Sequence, residues 1–116
     1  MARIGFGCFI PQGWKRELRN WEDPQAAWGR AKETARAIEA AGYDSIWVYD
    51  HFHNVPKPSH EAVFECWTVM AALTEVTSRV RLGQMVGCAP YRPPAHHQER
   101  ARQAEPASLA PQAAGS

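Results

Sequence analysis

The chain has 116 residues, 45% of them hydrophobic and 22% charged, with a formal net charge of +1. That length suits one ordinary domain with its own core, or part of a larger one. No run approaches the ~18 consecutive apolar residues of a spanning helix, and the mixed, near-neutral charge excludes a basic nucleic-acid platform.

The first predicted element is a strand over Arg3–Ile10, rich in Ile, Phe and Cys, where Gly5 and Gly7 permit close backbone approach. Pro11-Gln12-Gly13 marks a loop, and residues 14–23 continue it as a polar stretch studded with Trp14 and Trp21. Asp23-Pro24 signals a helix start, because the carboxylate accepts from the free first-turn amides and proline loses nothing at the first helical position. Trp28, Ala31, Ala35 and Ile38 then share one face, and Gly42 is placed to end the helix in a left-handed conformation. Ser45–Tyr49 is a short apolar, β-branched and aromatic run, the signal of a buried strand. It ends in Asp50-His51-Phe52-His53, and Pro56 and Pro58 mark the loop beyond.

Ser59 is the predicted cap of a second helix over Glu61–Thr77, with Val63, Trp67, Met70 and Thr74 in one stripe flanked by Cys66 and Leu73. Val80–Val86 is the third predicted strand. Trp47 and Trp67 are expected in the core. Each crossover is long enough for a helix, so the strands are expected to be parallel, with the outer edges and second face of the sheet lacking partners. From Pro93 to Ser116 there are four prolines, seven alanines and no aromatic residue, which predicts a disordered low-complexity tail. A brief helix over Gln98–Glu105 is conceivable there on propensity. The expected organisation is 1–92 as α/β structure and 93–116 as tail.

Cys8, Cys66 and Cys88 are odd in number and widely spaced, so neither a disulfide framework nor a zinc signature is present. The opening residues lack a secretory apolar run, and the expectation is a reduced, cytoplasmic protein. Ligand sites in α/β sheets form at the carboxyl ends of parallel strands. Three clusters occupy such ends: Phe9-Ile10-Pro11-Gln12, Asp50-His51-Phe52-His53, and Gln84 to Cys88. A histidine beside a carboxylate is suited to proton transfer near neutral pH. The plainer reading is that Asp50 caps local amides and His51 packs on a loop. His51 and His53 could also chelate one ion, as in a metal-dependent hydrolase, but no further ligand set follows. No Walker-type loop or dinucleotide fingerprint is present.

Several separated motifs resemble luciferase-like flavin or deazaflavin oxidoreductases. They are Ile10-Pro11-Gln12-Gly13-Trp14, the run from Ala41 to Phe52, Phe64-Glu65-Cys66-Trp67-Thr68, Thr77 to Val86, and Tyr91-Arg92-Pro93-Pro94-Ala95. The resemblance covers roughly residues 1–95 and is greatest to the branch that uses coenzyme F420. It implies the opening strand-helix-strand-helix-strand portion of a TIM (β/α)8 barrel. It further implies hydride transfer between a reduced deazaflavin, or alternatively FMN, and a small organic substrate. Carried over residue by residue, it makes His51 the catalytic proton donor or acceptor. Asp50 would bond the cofactor ring or fix the imidazole. Gln84, Met85, Val86 and Gly87 would contact the ring, with a non-proline cis peptide expected near Met85-Val86. No metal ligand is implied.

After Ala95 the apolar pattern of the family stops, and the expectation is a truncated or frame-shifted member that alone binds deazaflavin poorly and lacks turnover. The competing expectation is a non-catalytic fragment that self-associates or pairs its strand edges with a partner.

Overall fold

The computed structural model describes residues 3–95. They form β1 (Gly7–Phe9), α1 (Pro24–Ala40), β2 (Ser45–Val48), α2 (Cys66–Val76), β3 (Arg81–Gln84) and a short 3-10 turn, Ala89–Tyr91. The strands make one parallel sheet in the order β1-β2-β3. Gly7, Ser45 and Arg81 lie in one register row, and Phe9, Trp47 and Gly83 in another. Among the described residues no helix is long and apolar enough to cross a membrane. The brief helix considered over Gln98–Glu105 lies outside the described residues, as does the tail from residue 96 onward.

The ends of α1 follow from its sequence. Asp23 accepts a hydrogen bond from the Ala26 amide at 3.1 Å, and Pro24 opens the helix. At the other end Gly42 has φ +93, its N–H reaches the Glu39 carbonyl at 3.1 Å, and the Tyr43 N–H reaches that of Ile38 at 3.3 Å. This paired closure satisfies carbonyls that the helix leaves free. The buried stripe is Ala27, Ala31, Ala35 and Ile38. Trp28, expected on that stripe, is half-buried and meets Phe64 edge-on at 5.6 Å.

Along β2, Ile46 and Val48 are buried and join the core with α1, α2, Ile10 and Val80. Ser45 and Trp47 alternate to the other face. Both helices therefore cover one face of the sheet, and the other is open among the described residues. Trp47 was expected in the core, but it lies on that open face, half-buried. Its indole spreads over both neighbouring strands: a Cβ on Gly7 would come within 2.3 Å of its Nε1, and one on Gly83 within 2.7 Å of its Cζ3. Glycine at those two positions leaves room for the ring.

The elements are shorter than expected, β1 ending at Phe9, α2 at Val76 and β3 at Gln84, and at four other boundaries a side chain takes over from the backbone. The Phe6 N–H bonds to the Asp44 carboxylate at 2.8 Å, so β1 starts only at Gly7. The Tyr49 N–H bonds to Gln12 Oε1 at 3.1 Å, so β2 stops at Val48. The Val80 N–H bonds to Glu39 at 2.9 Å, so β3 starts at Arg81. Helix α2 starts at Cys66 rather than Glu61, because its cap is Glu65 and not Ser59. Glu65 accepts from the amides of Trp67 at 2.9 Å and Thr68 at 3.0 Å, whereas the Ser59 hydroxyl turns to Glu61. Cys66, Trp67, Val69, Met70 and Leu73 are its buried residues.

Candidate active site at the carboxyl ends of the strands

Three loops leave the same end of the sheet, and buried polar side chains tie them together. Gln12, fully buried, donates from Nε2 to the carbonyls of Tyr49 at 2.7 Å and Phe64 at 2.9 Å. With the Tyr49 amide it thereby joins the loops after β1 and β2 and the approach to α2, leaving none of these buried groups unpaired. Gly13, at φ +107, lies so close to Ala62 that a Cβ would meet its carbonyl oxygen at 2.0 Å. The Glu17 carboxylate accepts from the amides of Gln12 and Gly13, each at 3.0 Å, and of Lys15 at 2.8 Å, and from the Tyr49 hydroxyl. Burial pushes the Glu17 carboxyl up, but the Tyr49 hydroxyl and the amides outweigh it and hold the group below the usual range. Burial and the Glu17 carboxylate push the Tyr49 phenol far up, so it remains a neutral donor.

A second cluster surrounds Asp50. Its side chain is buried, and Arg92 grips it as a fork, Nη1 to Oδ2 at 2.6 Å and Nη2 to Oδ1 at 2.9 Å. The Cys88 N–H donates to Oδ2 at 2.9 Å. Arg92 also pairs with Glu65 and lies over the Phe52 ring, 5.2 Å from its centroid. Burial raises the Asp50 carboxyl, yet the Arg92 fork and the Cys88 amide prevail and keep it below the ordinary range. The resemblance implied that Asp50 would bond the cofactor ring or fix the His51 imidazole. Among the described residues Asp50 makes no hydrogen bond to His51, because both its oxygens are drawn to Arg92 and Cys88.

His51 is half-buried at the rim, its ring stacked on Trp14 with centroids 4.0 Å apart and planes 12° from parallel. The rings of Trp14 and Tyr49 are 5.3 Å apart, and an open groove lined by Phe9, Ile10, Pro11, Trp14, Glu17 and Tyr49 adjoins them. At the end of β3 the Met85-Val86 peptide is cis, where the resemblance placed such a bond. Met85 and Val86 are 50% and 73% exposed, and Phe9 at the end of β1 is 45% exposed. Gln84 behaves differently from these neighbours. Its amide nitrogen approaches the Met70 sulfur at 3.5 Å, which directs it under α2 rather than to the rim. Gly87 is exposed on the segment between Val86 and Cys88.

His53 and His60 are both exposed. Among the described residues no group of three or more His, Cys, Asp and Glu is placed to hold a metal ion. Sequence reasoning missed Arg92, Glu17, Glu65 and the role of Trp14. Arg92 and Glu65 stood inside quoted motifs without a role, and their distance in sequence from Asp50 hid the cluster.

A sequence model of the luciferase-like monooxygenases matches residues 6–108. The chain belongs to that family. Its parallel sheet with two covering helices is a partial luciferase-like TIM barrel, and the strand ends just described form the rim on which such barrels place their sites. The match runs beyond Ala95 into the Ala/Pro-rich segment. No curated protein matches the chain.

Proposed function

We propose that these strand ends form the proton-handling and ring-facing part of a deazaflavin site in an F420-dependent oxidoreductase acting on a small organic substrate. FMN is the alternative cofactor. The observation that carries this reading is the Cys88–Asp50 hydrogen bond. It joins the end of β2 to the segment after β3, so His51 and Met85-Val86 stand on adjacent strand ends.

The residues present suit a flat cofactor with apolar faces, since Phe9, Met85 and Val86 leave exposed apolar surface at the rim. When bound, a reduced deazaflavin supplies the hydride, and the protein supplies orientation and proton handling. Among the described residues no hydrogen bond reaches the His51 ring nitrogens, so they are available to exchange a proton with a reactant. Asp50 serves as the anchor for the segment that carries Met85 and Val86, and Arg92 balances its charge.

Anaerobic titration of the full chain with F420, and separately with FMN, followed by fluorescence, tests the reading. Weak but saturable F420 binding, tighter than FMN and weakened by Met85→Glu, is the expected result. Tighter FMN binding would remove the F420 assignment, and no saturable binding of either would remove the reading altogether.

A further inference from the structure

We infer that Trp14 is a positioning residue for His51: its indole face, rather than a carboxylate, sets the orientation of the imidazole. The inference rests on the reading of His51 as the proton-handling group. Histidines in such roles are commonly oriented by a hydrogen bond to one ring nitrogen. Here the adjacent carboxylate, Asp50, is committed to Arg92 and Cys88, and no hydrogen bond among the described residues reaches the imidazole. What does hold the ring is the parallel stack on Trp14 at 4.0 Å, with Tyr49 tilted against it at 5.6 Å.

Trp14 is itself immobilised. Its backbone N–H donates to the Tyr49 hydroxyl at 3.0 Å, and its backbone carbonyl accepts from the Val55 N–H at 2.8 Å. The preceding Gly13 is wedged against Ala62. The backbone at position 14 is therefore fixed, the indole packs against the Tyr49 ring at 5.3 Å, and stacking on it covers one face of the imidazole. The ring edge, with both nitrogens, stays available to a reactant. A flat aromatic ring at position 14 should preserve this arrangement, and an aliphatic side chain should not.

The test is the imidazole C2 proton of His51 in the NMR spectrum of the full chain, assigned by its loss in His51→Ala. Ring current from the indole should place it upfield of the exposed His53 signal. Trp14→Phe should retain most of that shift, and Trp14→Leu should abolish it. A His51 signal that coincides with His53 in the unmodified protein overturns the inference without any variant. So does an upfield shift that survives in a folded Trp14→Leu protein. F420 titration adds a second arm: His51→Ala and Trp14→Leu should each weaken binding, and the double variant should be no weaker than the worse single one. Additive losses overturn the positioning role. If the NMR shifts behave as expected but neither F420 nor FMN binds, the cofactor reading fails and the orientation of His51 by Trp14 stands.

Discussion

Ile46 and Val48 on β2 are buried under two helices among side chains that need only the right volume. Asp50, two residues further along, is equally buried among partners that need the right direction. The covered face of the sheet is an apolar core in which Ala27, Ala31 and Ala35 let α1 approach closely. The rim is organised by Gln12, Glu17, Asp50, Glu65 and Arg92, whose bonds mostly run from side chain to backbone or from charge to charge. The difference teaches where tolerance lies. A core accepts substitutions that conserve volume, whereas a buried charged network is costly once one member is lost.

Arg92→Ala should show this contrast most strongly. It strands a buried Asp50 carboxylate, and a loss of about 3–5 kcal/mol in urea unfolding is expected. Arg92→Lys, which keeps the charge but not the fork, should recover only part of that. On the covered face Leu73→Ala removes a fully buried side chain and should cost about 3 kcal/mol by the same measurement. A loss at Leu73 larger than at Arg92 would reverse the ranking of the two regions.

Acid sharpens the comparison further. The Asp50 carboxyl titrates below its unfolded value, so its contribution is complete above the ordinary carboxylate range. It disappears as pH falls through that range toward the lowered value. Unfolding midpoints measured against pH should therefore drop on the acid side, and Asp50→Asn should flatten that limb while lowering stability at neutral pH. Leu73→Ala should shift the whole curve without changing its slope.

Smaller effects are expected at Asp23 and Met85. Asp23→Ala removes a cap worth about 1 kcal/mol. Met85→Ala removes an exposed side chain, and its effect on unfolding should stay below about 0.5 kcal/mol. Its effect on F420 binding should be the larger one, which would separate the rim's function from its stability.

Local signals were legible in the sequence wherever they were self-contained. Asp23-Pro24 and Gly42 announced both ends of α1, since a cap needs only residues a few positions away. The order of elements and the parallel sheet followed from apolar runs separated by helix-length crossovers. The site of the cis peptide came from family resemblance, because nothing in the residues Met85-Val86 themselves requires one. The start of α2 was misplaced because Ser59 is the stronger cap by propensity. Glu65 replaces it through two amide bonds and an Arg92 partner 27 positions away.

By itself the sequence determined the α/β pattern, the helix that Asp23 and Gly42 delimit, and the three strand-end clusters. Those depend on short-range sterics and on the periodicity of apolar residues. Only the tertiary structure decided that Asp50 faces Arg92 rather than His51, that His51 lies on Trp14, and that Trp47 occupies the open face between Gly7 and Gly83. These are competitions settled by partners 36 to 42 positions apart. Their outcome depends on which buried polar group the assembled loops can satisfy, and that choice exists only once the sheet has formed.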